Sequence, residues 1–103
     1  MKTFKLKMLK IVEEKESINI PLMDGLIINR EEDNNYWLIE AYMSREHVKL
    51  LEKLNHEKKS SYLLEVKITK ESNKPAMFRS NLISINDIGE NVNVIFQGTL
   101  LEN

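Results

Sequence analysis

Cysteine is absent from this 103-residue chain, which excludes disulfides, thiolate catalysis and cysteine metal sites. Glycine occurs only three times, at scattered positions, so the sequence has no phosphate-binding glycine loop and no dinucleotide-binding fingerprint. No apolar run approaches the length of a membrane span, and lysines interrupt the N-terminal apolar positions, so no signal peptide is predicted. We therefore expect a cytoplasmic protein that has no membrane segment.

An excess of charge of either sign is also missing. The chain has 15 Lys and Arg against 16 Asp and Glu, which gives a formal net charge of -1. Such a balance provides no general attraction to nucleic acid or to acidic membranes. The length predicts a single domain, residues 1–103, that buries one hydrophobic core.

The stretch from Ile18 to Met43 has an apolar pattern that predicts three consecutive strands. Asp24-Gly25 separates the first two strands and predicts a tight hairpin, because both central residues of that turn need positive φ. From Tyr36 to Met43 both faces of the third strand are largely apolar. We expect one face to pack on the core and the other to be covered by the helix or by another subunit.

Several positions predict irregular strands. Pro21 cannot donate a hydrogen bond to a neighbouring strand, so its own strand should lie at an edge or be bulged. The apolar alternation changes phase after Met8 and again at Leu82-Ile83, which indicates bulges or bends. Gly98 indicates a further bulge in the last strand.

One α-helix is predicted from residue 45 to about residue 59, with Ser44 as its N-cap. Val48, Leu51 and Leu54 form a narrow apolar stripe, which indicates a helix lying on a surface. With about seven short strands, the whole pattern predicts a mainly β (α+β) fold, a small antiparallel β-barrel or sandwich. A closed barrel would leave no exposed strand edges.

Three segments resemble the YwpF-like family of small proteins from Gram-positive bacteria. They are MKTFKL at residues 1–6, PLMDGLIINRE at residues 21–31 and WLIEAY at residues 37–42. The resemblance implies a small β-barrel or sandwich with a helix, similar to the tube-forming Hcp proteins of type VI secretion. The segments look structural, so the resemblance implies no active-site residues.

Metal and acid–base chemistry have weak candidates. His47 and His56 are nine positions apart on the predicted helix, which places them on roughly opposite sides. They cannot bind one metal ion together within a chain. The acidic stretch 31–35 lacks the glycine and the later glutamate of a calcium loop. We predict no catalytic residue, no cofactor and no metal site.

Glu40 is the most interesting carboxylate because apolar residues flank it. If its face is covered, it needs a partner. Pairing with a lysine on a neighbouring strand, such as Lys67, or simple exposure is favoured over catalysis. A catalytic acid would need a second polar group, and none is visible.

Lysines near the first strand offer a nucleic-acid hypothesis. Lys67 and Lys70 could extend the patch, and Tyr36 or Tyr42 could stack on bases. In the alternative interpretation, the lysines occupy alternate positions on a solvent-exposed strand face and protect a strand edge from aggregation. The balanced charge favours this second interpretation over nucleic-acid binding. The patch itself consists of Lys2, Lys5, Lys7 and Lys10.

Surplus apolar residues on nominally outward faces lead to the main prediction of function. These residues are Leu38, Tyr42, Leu63 and Ile95. They predict a non-enzymatic protein that acts through protein contact, as a homo-oligomer or with an unknown protein partner. The alternatives are a ligand- or single-strand-binding barrel and a small hydrolase centred on Glu40.

Overall fold

The described part of the chain forms seven strands and one short α-helix, as the apolar pattern predicts. The computed structural model describes residues 1–31, 35–56 and 61–101, except for the side chains of residues 54–56. The strands are β1 (Lys2–Val12), β2 (Ser17–Ile20), β3 (Asp24–Asn29), β4 (Trp37–Ser44), β5 (Tyr62–Ile68), β6 (Ala76–Ile88) and β7 (Asn91–Leu101). A 3-10 turn, Arg45–His47, leads into the helix α1 (Val48–His56). Residues 57–60, the predicted end of the helix, lie outside the described residues.

The strands close into a barrel. Their order is β2-β1-β3-β4-β7-β6-β5, every pairing is antiparallel, and β5 also pairs with β1. That last pairing joins β5, at one end of the row, to β1, the second strand at the other end. It closes a ring of six strands and leaves β2 outside the ring, bonded to β1. Of the two predicted architectures, the barrel is the one observed. The edge position of β2, which ends beside Pro21, is also confirmed.

Two strands change register where the apolar alternation changes phase. The β1–β5 ladder shifts between Leu6 and Met8, so that Leu6 and Leu9 both face the core. The β6–β7 ladder shifts between Leu82 and Ser84, which leaves Ile83 as an extra residue. Each irregularity lets a long strand turn around the small barrel without exposing its apolar face.

The predicted hairpin at Asp24-Gly25 is wrong. Both residues belong to β3, and β2 pairs with β1 rather than with β3. Gly25 does not have positive φ; among the described glycines only Gly89 does. A Cβ atom at Gly25 would lie 2.9 Å from the Cβ of Leu6. Glycine at this position therefore permits β3 to pack closely against β1 and does not form a turn.

The predicted bulge at Gly98 is also wrong. Gly98 pairs in regular register with Trp37 on β4 and with Ser80 on β6. A Cβ atom there would overlap the Ser80 side-chain oxygen and the carbonyl oxygen of Arg79. The glycine marks a close approach of two strands.

One hydrophobic core fills the barrel, and α1 closes one of its ends. Val48 and Leu51 of α1 belong to the same buried cluster as the inward side chains of the strands. The predicted stripe is thus confirmed at these two positions, while the Leu54 side chain lies outside the described part. The remaining core residues are Leu6, Leu9, Ile11, Ile20, Ile27, Ile39, Ala41, Met43, Tyr62, Leu64, Val66, Phe78, Val92, Val94 and Phe96.

The helical segment starts at the predicted cap. The Ser44 side-chain oxygen accepts a hydrogen bond from the Glu46 backbone N–H at 3.5 Å. Arg45 then reaches the β6–β7 turn, with 3.0 Å to the Asp87 carboxylate and 2.7 Å to the Gly89 carbonyl oxygen. These contacts fix the start of the segment beside the ends of β6 and β7.

Candidate interaction surface

The outward faces of β3, β4 and β7 carry apolar side chains grouped around Glu40. In the strand register, Leu26 lies opposite Glu40, and Glu40 lies opposite Ile95. Two positions further along β3, Ile28 lies opposite Leu38. Facing residues on paired strands have Cβ atoms about 4.5–5.5 Å apart, so these side chains are neighbours on one surface. We call this surface the outer patch and define it as Leu26, Ile28, Leu38, Tyr42, Ile83 and Ile95.

Residues of the outer patch remain accessible to solvent. Leu26 is 36% exposed and Ile83, the extra residue of the β6 irregularity, is 54% exposed. Leu38, Tyr42 and Ile95 are half-buried. Helix α1 does not occupy this face, because its Val48 and Leu51 pack with the inward side chains. The sequence predicts that either the helix or another subunit covers the second face of β4. The helix does not cover it.

The structure brings together three of the four predicted surface residues. Leu38, Tyr42 and Ile95 lie on the adjacent strands β4 and β7. Leu63 lies on β5, which is three strands away from β4 in either direction around the ring. Leu63 therefore faces the other side of the barrel, beside a groove of about 360 Å³ that Ile11 and Arg79 also line.

Three residues of the outer patch were not predicted from the sequence. Ile83 could have been found, because the phase change at that point leaves one apolar residue without a place in the inward set. Leu26 and Ile28 join the patch through the pairing of β3 with β4. No local signal gives that register, since the expected turn next to β3 does not form.

Glu40 lies in the middle of the outer patch. Its cross-strand neighbours are Leu26 and Ile95, and Leu38 and Tyr42 flank it along β4. The predicted pairing with Lys67 is wrong, because Lys67 is on β5, on the far side of the ring. Within the described residues, the Glu40 carboxylate has no ion-pair or hydrogen-bond partner. Glu40 is thus a half-buried residue whose nearest neighbours on its face of the sheet are apolar.

Tyr42 is held at one end of the patch. The Asn91 side-chain amide donates a hydrogen bond to the Tyr42 hydroxyl oxygen at 3.0 Å. Asn91 begins β7, so this bond joins the ends of two neighbouring strands. The bond therefore holds the Tyr42 hydroxyl beside the start of β7.

Most lysines of the hypothetical basic patch lie next to carboxylates. The distances are 3.6 Å for Lys2–Glu31, 3.7 Å for Lys5–Asp24 and 3.9 Å for Lys10–Glu65. Lys7 and Lys67 line a groove that Glu71 also lines. The local positive charge is consequently smaller than the lysine count indicates.

Candidate metal and acid–base groups do not converge in the described residues. There, no three His, Cys, Asp or Glu side chains are placed to hold a metal ion. The His47 ring lies 3.5 Å from the neighbouring Glu46 carboxylate. The His56 side chain and residues 32–34 of the acidic stretch lie outside the described residues. The described helix is too short and too polar to cross a membrane.

Glu31 carries a shifted pKa. The N-terminal ammonium group, 3.1 Å from the carboxylate, lowers the pKa of Glu31 through a hydrogen bond and through its charge, and Lys2 adds to the effect. A lowered folded-state pKa contributes stability above the unfolded pKa, and this contribution is lost as the pH falls through the folded pKa.

We expect Glu31→Gln to lower the melting temperature slightly at pH 7, and the difference from wild type to vanish in acid, below the lowered pKa of Glu31. Melting curves recorded between pH 2 and pH 7 test this expectation, with about 0.5-unit steps being sufficient. Glu71→Gln, at an exposed position outside the described ion pairs, is the control. A difference that persists unchanged at pH 2 would rule out the ion pair as its cause.

Comparison with known proteins identifies relatives of the chain. The sequence model of the YwpF-like protein family matches residues 2–103. The chain is 39% identical over 105 residues to the uncharacterized protein YwpF of Bacillus subtilis (strain 168), which covers 98% of this chain and 76% of the relative. It is also similar to a hypothetical protein from Staphylococcus aureus of known crystal structure, with a TM-score of 0.86 and 33% identity, over 99% of this chain and 71% of that one.

Proposed function

The chain belongs to the YwpF-like family, and on this premise we propose that it is a non-enzymatic barrel that acts through protein contact, by binding further copies of itself. The observation that carries the proposal is the outer patch. Six apolar residues from four strands form one outward surface, and α1 leaves that surface open. Contiguous apolar surface on a soluble domain marks an interaction site.

Glu40 adds a second reason. An exposed carboxylate among polar residues would need no explanation, whereas this one lies between Leu26 and Ile95 without a partner in the described chain. Its charge lowers the attraction of the patch for arbitrary apolar surfaces, because an unpaired charge is costly to bury. A partner that supplies a cation opposite Glu40 would be selected over one that does not.

Tube formation of the Hcp kind stays a prediction that rests on resemblance. A closed ring requires two different complementary faces on each subunit, whereas a two-fold dimer uses the same face twice. The outer patch is one candidate face. The surface around Leu63, on the opposite side of the barrel, would have to be the second.

Leu38 and Leu63 provide a matched pair for testing the interface. Both are half-buried leucines on outward strand faces, but they lie on opposite sides of the ring. We expect Leu38→Asp to abolish self-association and Leu63→Asp to leave it intact, because only the first places a new charge in the outer patch. The measurement is native mass by light scattering coupled to size exclusion, over a concentration series, with far-UV circular dichroism as the folding control.

Each other outcome has a distinct meaning. A wild-type chain that is monomeric at every concentration removes the proposal of self-association. Dissociation by Leu63→Asp alone places the interface on the opposite side of the barrel. Dissociation by both substitutions, together with a native mass above that of a dimer, favours a ring over a dimer.

Single-strand binding has less support. Three of the four lysines in the basic patch lie within 3.9 Å of carboxylates, which reduces the charge that they offer to phosphates. Titration with labelled single-stranded oligonucleotides at low salt tests this alternative, since phosphate contacts are strongest there. Binding that is lost in Lys5→Glu and Lys7→Glu would favour it over self-association.

A further inference from the structure

We infer that two copies of the chain pair around a two-fold axis that runs along β3, through the part of the outer patch formed by Leu26, Ile28 and Leu38, so that Lys5 of each copy meets Glu40 of the other. This inference rests on the proposed function and specifies its partner and its register. It starts from the order of three facing residues on adjacent strands. Lys5 on β1 lies opposite Leu26 on β3, and Leu26 lies opposite Glu40 on β4.

The row Lys5–Leu26–Glu40 is complementary to itself. It has a cation at one end, a leucine in the middle and an anion at the other end. A two-fold axis that lies in the interface and follows β3 exchanges the two ends of the row and keeps the middle in place. Leu26 then meets its own copy, and each Lys5 faces a Glu40 carboxylate. Identical surfaces meet in this way in an isologous dimer.

The same axis also accounts for the next row. Thr3 lies opposite Ile28 on β3, and Ile28 lies opposite Leu38 on β4. Rotation about the axis brings Ile28 onto its own copy and Leu38 onto Thr3 of the other chain. No charge enters this second row, so Ile28 and Leu38 make an apolar contact beside the ion pairs of the first row.

In the inferred dimer, Lys5 lies within reach of two carboxylates, Asp24 of its own chain and Glu40 of the other copy. Its ammonium group lies 3.7 Å from Asp24 of the same chain, and both side chains are largely exposed. Asp24 also belongs to β3, so the axis brings it towards its own copy. The two lysines of a dimer then lie between the two Asp24 and the two Glu40 carboxylates, so their positive charge offsets the repulsion between the Asp24 side chains. This arrangement supplies Glu40 with the cation that the described residues of its own chain do not provide.

Charge reversal tests the register. We expect Glu40→Lys and Lys5→Glu each to raise the dimer Kd by at least about tenfold, because each places like charges opposite one another twice. The double variant Lys5→Glu/Glu40→Lys restores opposite charges, and its Kd should return to within about threefold of the wild-type value. Kd is measured by sedimentation equilibrium on the full chain. Lys67→Glu makes the same charge change on β5, outside the patch, and should leave Kd unchanged.

Failure of this register is distinguishable from failure of self-association. A dimer that Leu38→Asp disrupts, but whose Kd does not change on either charge reversal, overturns the Lys5–Glu40 pairing and leaves the outer patch as the interface. Single reversals that weaken the dimer without recovery in the double variant also overturn the pairing, provided that the double variant retains the wild-type melting temperature. A monomeric wild type removes both proposals together.

Discussion

Gly98→Ala is expected to destabilise the barrel by at least about 3 kcal/mol, towards the upper end of what overpacking produces. The added Cβ would overlap the Ser80 side-chain oxygen and the Arg79 carbonyl oxygen. The hydroxyl could rotate away, but the carbonyl belongs to the backbone of β6, the strand that pairs with β7 at this position. Relief would therefore require two paired strands to separate. For a domain of this length the loss corresponds to about 12–24 °C in melting temperature.

Gly89→Ala is the control for the loss of a glycine. Gly89 has a φ of +59°, and a Cβ atom added there would meet nothing within 4 Å, so the penalty is backbone strain alone, about 1–2 kcal/mol. Ser80→Ala separates the two overlaps at Gly98. It removes the oxygen atom but not the carbonyl, so adding it to Gly98→Ala should recover only part of the lost stability. Equal stabilities of Gly98→Ala and Gly89→Ala would contradict the close approach of β6 and β7.

Phe96→Ala should lower the free energy of unfolding by about 3–5 kcal/mol, the range found for truncating a buried aromatic residue. Phe96 is fully buried, and its ring meets Tyr62 edge-on, with 6.2 Å between ring centroids. It also faces Ile39 across the β4–β7 pairing, so its removal leaves a cavity between strands from opposite sides of the core. Urea unfolding monitored by circular dichroism measures the change, and an unchanged slope shows that the same surface is exposed.

Ile95→Ala is the control at the neighbouring position, and it should change the free energy of unfolding far less than Phe96→Ala does. Ile95 precedes Phe96 on the same strand and faces outward in the outer patch. We expect a loss of at most about 1 kcal/mol in the free energy of unfolding. Both variants must be compared at concentrations where the wild type is monomeric, since dimerisation itself adds stability. A larger loss for Ile95→Ala than for Phe96→Ala would reverse the assigned faces of β7.

Features of the fold that the sequence predicts correctly are local ones. Alternation along β7 correctly predicts that Val92, Val94 and Phe96 face inward, because side chains on a strand alternate with period two. Phase changes predict the irregularities near Met8 and Ile83 for the same reason. In each case the information lies within a few consecutive residues.

Features that depend on which strands are neighbours were not predictable. Asp24-Gly25 has the composition of a hairpin turn, but β1 pairs with both β2 and β3 and keeps those two strands from pairing with each other. The partner proposed for Glu40 failed because nothing in the sequence places β5 opposite β4. Leu63 was grouped with Leu38 for the same reason. The outer patch combines residues from four strands, and only the strand order reveals it.

The position of β7 has a consequence for the order in which the barrel is completed. Among the described strands it comes last in the sequence, yet in the ring it lies between β4 and β6. A chain synthesised from its N-terminus therefore cannot close the barrel before β7 has emerged. Until then β4 and β6 are open edges, and unpaired edges of apolar strands are where chains join one another incorrectly. Pairing of β7 thus completes the ring and covers the open edges of β4 and β6 in one step, while β2 keeps its edge outside the ring.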